Sequence, residues 1–293
     1  MGTLLESFNP TDTIGLDCGM QTIGSIGPDK TPLFIFEPYD YDPEHGSHDF
    51  LLATGLLARP EQYRHLGQGL LRMNDRLIVV GYDHNYHQYP IRANAEAILD
   101  TTQRFETGNK FVAIGHSMGT IAMLLALEDP EFHKRTKALI QANPAMTGSH
   151  LLMRPTDIMN VEREAVVLTA THPLEAFSYT YTAADEFLHR PRVIANQVKR
   201  LLFGAVHERY EFLMKENPDL PIFVFYNKRD GLVPARWGAS VASMGGNVQV
   251  YIHNSRTGLA HAALNLDPEY AVALHSVAEN TKLPKSFQIV SAR

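Results

Sequence analysis

Gly115-His116-Ser117-Met118-Gly119 is the only Gly-x-Ser-x-Gly string in the sequence. A random chain of this length shows one about once in ten, so its setting has to carry the argument. FVAI immediately before it is strand-like and TIAMLLALED immediately after it is helix-like, and a serine between strand and helix is raised at the tip of a tight turn. The glycines answer a steric need, because side chains beside such a strained residue would collide with it or with neighbouring elements. The start of the following helix offers backbone N–H groups and a partial positive charge. Met118 N–H is the first of these donors and could receive a developing oxyanion.

A serine hydroxyl is a poor nucleophile at neutral pH and needs a base, which in turn needs an orienting carboxylate. Asp230 follows the strand-like FVFYNK in the polar run NKRDGLVP, and His261 follows VQVYIH in TGLAHAAL. Both fall just past a strand's carboxyl end, on the edge where Ser117 must be. Asp230 also has the character of a plain turn aspartate; Asp219 and Asp267 are less well placed for the carboxylate role. Of the fourteen histidines, His253 lies inside a strand and His275 inside the last helix, which leaves His261 as the base. The order Ser117, Asp230, His261 along the chain is one of the orders known for such triads.

The elements that must position these groups follow from hydrophobic patterning. FLLAT (50 to 54), RLIVVGYD (76 to 83), KFVAIGHS (110 to 117), KALIQANP (137 to 144), PIFVFYNK (221 to 228) and VQVYIHN (248 to 254) are apolar runs mostly without alternation, as in strands covered on both faces. Helices fit at about 61 to 73, 92 to 106, 118 to 128, 235 to 244 and 268 to 280. Strand and helix in alternation predict an α/β fold, a mostly parallel central sheet with helices on both faces. Before it, TIGLDCGMQTIGSIG and TPLFIFEPY, separated by Gly27-Pro28-Asp29-Lys30, read as an opening β-hairpin. Between about 146 and 216 helical sequence rich in Arg, Met and aromatics interrupts the alternation, far more than one crossover needs. It is expected to be a helical cap, so that 1–145 and 217–293 form the two parts of the core and 146–216 the insertion. The last ten residues, from about Pro284, look like a loosely tied tail.

Composition narrows the function classes. At 293 residues and 44% hydrophobic, the chain can bury one large core, with or without an insertion. A net charge of −6 with no basic patch argues against nucleic acid. The single cysteine, Cys18, cannot form an intrachain disulfide, which fits a reducing compartment. No basic residue precedes the short apolar stretch of MGTLLESFNPTD, and no run approaches about 18 apolar residues. Together these predict a soluble, cytoplasmic protein with no integral membrane segment. Gly2 lacks the serine or threonine that myristoylation needs where Glu6 stands. Asp83-His84-Asn85-Tyr86-His87 and Glu44-His45-Gly46-Ser47-His48-Asp49 contain metal-ligand residue types without a recognised spacing, so no metal is expected. Tyr86 and His87 could instead line a pocket mouth. GxGxxG and GxxxxGK[ST] are both absent, so no dinucleotide or P-loop cofactor is implied. Met146, Met153, Phe177, Tyr179, Tyr181, Phe187 and Phe203 of the insertion could shape an apolar pocket or simply fasten its helices to the core.

From about Phe50 to Lys282 the chain resembles the α/β-hydrolase superfamily, especially the capped esterases and monoacylglycerol-lipase-like enzymes that carry GHSMG. In that family an early loop reads His-Gly followed by an apolar residue, whose N–H is the second oxyanion donor. The matching stretch is Thr54-Gly55-Leu56-Leu57, ahead of ARPEQYRHL, so Leu56 would inherit the role; Thr54 departs from the usual histidine. The rival stretch Glu37-Pro38-Tyr39 lacks the glycine. The resemblance implies hydrolysis of a small-molecule carboxylic ester through an acyl-enzyme, with no cofactor. Thioesterases, peptidases or amidases, haloperoxidases and C–C hydrolases share the fold, and a non-catalytic, ligand-binding relative is the alternative of a different class.

Overall fold

The structure, a computed structural model, describes residues 9–26, 31–42, 44, 47–55, 58–81, 90–104, 110–144, 155–189, 191–192, 212, 215, 218–235, 241–242 and 247–290. Its ten-stranded sheet runs in the order β1-β2-β3-β5-β4-β6-β7-β8-β9-β10. The strands are β1 (Asn9–Leu16), β2 (Gly19–Ile26), β3 (Thr31–Pro38), β4 (Asp49–Ala53), β5 (Arg76–Val80), β6 (Phe111–His116), β7 (Thr136–Ala142), β8 (Ile222–Asn227), β9 (Val248–His253) and β10 (Phe287–Ile289). From β5 through β4 and β6 to β9 neighbouring strands are parallel; β1–β2, β2–β3, β3–β5 and β9–β10 are antiparallel.

Every residue of β4, β5 and β6 is buried, which is why their sequences show no polar alternation. Side chains still alternate between the two faces. Leu51, Ile78 and Ala113 face one core with Ile98 of α2 (Pro90–Arg104) and Met123 of α3 (Gly119–Ala126). Phe50, Leu52, Leu77 and Ile114 face the other, with Leu66 and Leu70 of α1 (Arg64–Leu71) and Tyr270 and Leu274 of a late helix, Pro268–Ala278. Truncating a fully buried leucine such as Leu52 to alanine costs about 2–5 kcal/mol. The doubly covered sheet is the rigid frame that fixes where the strand ends point.

Further helices with both ends among the described residues are α4 (Pro130–Arg135), α5 (Pro155–Thr171), α6 (Pro173–His189), the short α7 (Ala263–Leu266) and the late helix α8 (Pro268–Ala278). A 3-10 turn at Pro60–Tyr63 leads into α1. The helix expected over 235–244 falls largely outside the described residues. Among the described residues, no helix is long and apolar enough to cross a membrane.

Two expectations are corrected. The first apolar run is not one strand but two, β1 and β2, folded back at Asp17-Cys18 with Leu16 opposite Gly19. No Gly-Pro or Asn-Gly dipeptide marks that turn. The end of the chain is not a loose tail: β10 pairs with β9, and buried Phe287 stacks on His253 with ring centroids 4.3 Å apart. Three residues are too few to show a period, so the strand owes its place to that one aromatic anchor.

Candidate active site

β6 ends at His116 and α3 starts at Gly119, and Ser117 between them has φ +52°. A left-handed backbone at a non-glycine residue stores on the order of 1–3 kcal/mol of strain. It is held by Ser117 N–H donating to Ala142 O (2.9 Å) and by the Thr120 hydroxyl donating to Ser117 O (2.6 Å). The flanking glycines are sterically obligatory: a Cβ on Gly115 would lie 2.4 Å from Thr120 Cα, and one on Gly119 2.3 Å from Ala53 O. Met118 caps α3 at its amino end. The loop after β4 passes beside the serine, since a Cβ on Gly55 would lie 3.0 Å from Ser117 Cβ and 3.6 Å from its Oγ. Leu56, the expected second donor, lies outside the described residues, as do Asp83 to His87. Thr54 is buried, and its hydroxyl has no partner among the described residues.

Ser117, Asp230 and His261 follow β6, β8 and β9, so the parallel strands carry all three to one edge of the sheet. His261 Nδ1 is 2.9 Å from Asp230 Oδ2. The other Asp230 oxygen accepts Leu232 N–H and Val233 N–H, both at 2.8 Å, so the fully buried carboxylate cannot swing away. Burial disfavours the His261 imidazolium, but the charge and hydrogen bond of Asp230, with the charge of Glu164 behind them, outweigh it and raise its pKa. Among the described residues no hydrogen bond joins Ser117 Oγ to His261. The two positions are connected through His116, whose ring lies 5.2 Å from that of His261.

His116 is one residue that sequence reasoning passed over. Its Nε2 faces His261 O (3.1 Å), which can only accept, so Nε2 carries the hydrogen and Nδ1 accepts from Tyr63 OH (2.7 Å). Tyr63 OH in turn accepts Gly55 N–H at 3.4 Å. Burial and the charge of His261 push the His116 pKa down to about 3, so it is a neutral spacer. Asn143, with φ +46° at the end of β7, is a second such residue. Its amide donates to Ala260 O (3.3 Å) and His261 O (3.4 Å), while its oxygen accepts Asn227 N–H (3.1 Å). Glu164 of α5 is the third: one carboxylate oxygen accepts Ala260 N–H (2.8 Å) and Ala262 N–H (2.9 Å).

Helices α5 and α6 dock against the loops at this edge. Arg59 Nη2 meets Asp185 Oδ2 at 3.2 Å, His65 Nε2 meets Glu175 Oε1 at 2.8 Å, and Asn265 donates to Tyr179 OH. The aromatics of the insertion divide between two fates. Tyr179 is drawn in by that bond, whereas Phe177 and Tyr181 stack on each other (6.2 Å) on the outer surface, 70% and 55% exposed. Those two therefore do not fasten the helix to the core. Met146, Met153, Phe203 and the side chain of Phe187 lie outside what the structure describes.

Two further groups combine histidine with carboxylates. His48 Nε2 is 2.6 Å from Glu279 Oε1, and His275 Nδ1 is 2.7 Å from Asp75 Oδ2. His253 Nε2 is 3.2 Å from Glu269 Oε2 and 3.9 Å from Asp267 Oδ2. Ligands on a tetrahedral zinc ion, with bonds of about 2.0–2.1 Å, stand roughly 3.3 Å apart. The first cluster is therefore two hydrogen-bonded pairs. In the second, Asp267 already caps α8 through Glu269 N–H (3.1 Å) and His253 Nδ1 is engaged by Asn227 Oδ1 (2.8 Å).

Neither a family model nor a curated protein matches the chain by sequence. Solved structures do match by shape. A serine hydrolase from the polyaromatic hydrocarbon-degrading bacterium Cycloclasticus zankles aligns over 93% of this chain and 98% of its own, with a TM-score of 0.61 at 11% identity. An esterase from Exiguobacterium antarcticum aligns over 86% and 96%, TM-score 0.55, 14% identity. A bromoperoxidase from Bacillus anthracis aligns over 88% and 99%, TM-score 0.61, 10% identity. Taken with the sheet order and the strained serine after β6, these likenesses give the chain the fold of the α/β-hydrolase superfamily.

Proposed function

We propose that the chain is a serine hydrolase that cleaves a small-molecule carboxylic ester through an acyl-enzyme intermediate. The observation that carries the proposal is the left-handed Ser117, wedged between glycines that tolerate no Cβ, at the same sheet edge as the His261–Asp230 pair. Structural neighbours named as an esterase and a serine hydrolase support it.

In this reading Asp230 accepts the Nδ1–H of His261, which leaves Nε2 as the basic atom. Nε2 takes the proton of Ser117 as Oγ attacks the ester carbonyl carbon. Met118 N–H and Leu56 N–H stabilise the oxyanion. The imidazolium then gives its proton to the departing alkoxide, and a water activated by the same imidazole releases the acid. No cofactor enters any step. Residues 146–216 act as the helical cap over the site, and 1–145 and 217–293 as the two parts of the core.

A fluorophosphonate probe tests the assignment. The expected result is one covalent adduct on the wild type and none on a folded Ser117→Ala variant, whose ester turnover falls by roughly 10⁶. A well-folded wild type that takes no label overturns it in favour of a ligand-binding protein of the same fold. A panel of p-nitrophenyl esters set against an acyl-thioester and an aminoacyl amide checks the bond cleaved. Faster turnover of the thioester or amide replaces the ester assignment with that class.

A further inference from the structure

We infer that Glu164 is a positioning residue for the catalytic base: from helix α5 it clamps the backbone on both sides of His261 and adds a second negative charge to that of Asp230. The inference rests on the serine-hydrolase reading for its catalytic meaning, though its geometry stands apart from it.

The segment from Asn254 to Ala260 between β9 and α7 has no regular secondary structure, so its polar backbone groups must find partners elsewhere. The sheet edge provides donors for the carbonyls: Asn143 to Ala260 O and His261 O, and His116 Nε2–H to His261 O. The N–H groups of Ala260 and Ala262 need an acceptor, and Glu164 supplies a single oxygen to both. His261 is thus gripped by the core through its carbonyls and by α5 through the adjoining amides. The second grip comes from outside the sheet, from a helix 96 and 98 positions away along the chain.

The same helix also touches the acid's loop. A Cβ on Gly231, next to Asp230, would lie 2.2 Å from Asp157 O and 2.7 Å from Val161 Cγ2. A Cβ on Gly258 would lie 3.4 Å from Val167 Cγ2. Asp157, Val161, Glu164 and Leu168 recur at helical spacing on the inward stripe of α5, while Ile158, Met159 and Val166 point outward. One helix face therefore sets the distance between base and carboxylate. Glu164 is only 8% exposed, so its charge acts across little water.

The groups facing the His261 ring or its backbone are Asp230 from the loop after β8, His116 from β6, Asn143 from β7 and Glu164 from α5; Tyr179 of α6 stands near Glu164. Asp230 and Glu164 are the charged members, and both favour the imidazolium that forms when Ser117 loses its proton.

The test compares Glu164→Gln with Glu164→Ala. The amide oxygen of glutamine still accepts both N–H groups but carries no charge. Glu164→Gln is expected to keep fluorophosphonate labelling within about threefold at high pH while the His261 titration, followed by NMR of the imidazole, moves to lower pH. Glu164→Ala loses clamp and charge, and a displaced base costs roughly 10²-fold in kcat with little change in KM. Labelling rates and a His261 titration equal to wild type in both variants overturn the inference. Should Glu164→Ala not fold, the titration of Glu164→Gln decides alone. Should wild type take no label, the serine-hydrolase reading fails, and the titration still reports whether Glu164 acts on His261.

Discussion

His261–Asp230 and His275–Asp75 are nearly the same object at opposite ends of the sheet. In each, a histidine Nδ1 meets the oxygen of a fully buried aspartate, at 2.9 and 2.7 Å, and the imidazole keeps 19% and 29% of its side-chain surface exposed. Asp230 follows β8 and its second oxygen accepts two loop N–H groups. Asp75 precedes β5, and its second oxygen accepts His48 N–H at 3.0 Å. Only the surroundings differ. On the edge that His261 shares stand a strained serine and the close-packed glycines around it; beyond His275 lie His48 and its Glu279 partner. A histidine on a buried carboxylate is thus an ordinary way to fasten two elements, and the proposed chemistry depends on such a pair sharing an edge with the Ser117 hydroxyl.

The largest expected effect separates the two directly. Asp230→Asn should lower kcat by about 10³–10⁴ with the fold retained, because the imidazole is left in the wrong tautomer. Asp75→Asn should leave turnover within about twofold. Its effect should fall on stability instead, by about 1–3 kcal/mol, since it replaces an oxygen of a buried carboxyl group that is hydrogen-bonded on both sides. Ester turnover and thermal unfolding of both variants check this. Loss of activity in a folded Asp75→Asn variant would erase the distinction between the two ends. Tyr63→Phe is intermediate. It strips His116 Nδ1 of its donor and Gly55 N–H of its acceptor, for about 1–3 kcal/mol of stability. It removes nothing that touches the reacting atoms, so kcat should fall by no more than about tenfold.

The contrast also explains what could be read from the sequence. Apolar runs without alternation marked the six central strands to within a few residues, because burial on both faces leaves that signature in composition itself. Ser117, Asp230 and His261 stood out because each is punctuated by turn residues just past such a run. Tyr63 and Glu164 carry no such punctuation, and Asn143, though followed by Pro144 just past β7, has no acid, base or nucleophile to draw notice. Their roles arise from contacts over 53 residues for Tyr63–His116, 118 for Asn143–His261 and 96 for Glu164–Ala260. Such pairings depend on how layers stack, which local pattern does not encode. His48 illustrates the same limit from the other side. It sits in a run with metal-ligand residue types, yet its partner Glu279 is 231 positions away. The turn at Asp17-Cys18 is hard to read locally because neither of its two central residues is a glycine, proline or asparagine.

The smallest effect concerns pH and sharpens the comparison within one edge of the sheet. The Asp230 charge holds His261 above the ordinary imidazole value near 6.5, and the proposed mechanism needs it neutral. The acid limb of kcat/KM should therefore lie above pH 6.5 with unit slope, and shift downward in Asp230→Asn. Stability carries the opposite sign at the two neighbouring histidines. The raised pKa of His261 gives stability that is present below about pH 6.5 and fades as pH climbs through the folded value. His116, pushed down to about 3, gives stability that is present above about pH 6.5 and fades as pH falls toward 3. Thermal unfolding from pH 4 to 8 should show the two contributions partly offsetting. His116→Gln should flatten the acid side of that curve and leave the acid limb of activity where it was, because the spacer stays neutral throughout the range in which the base titrates.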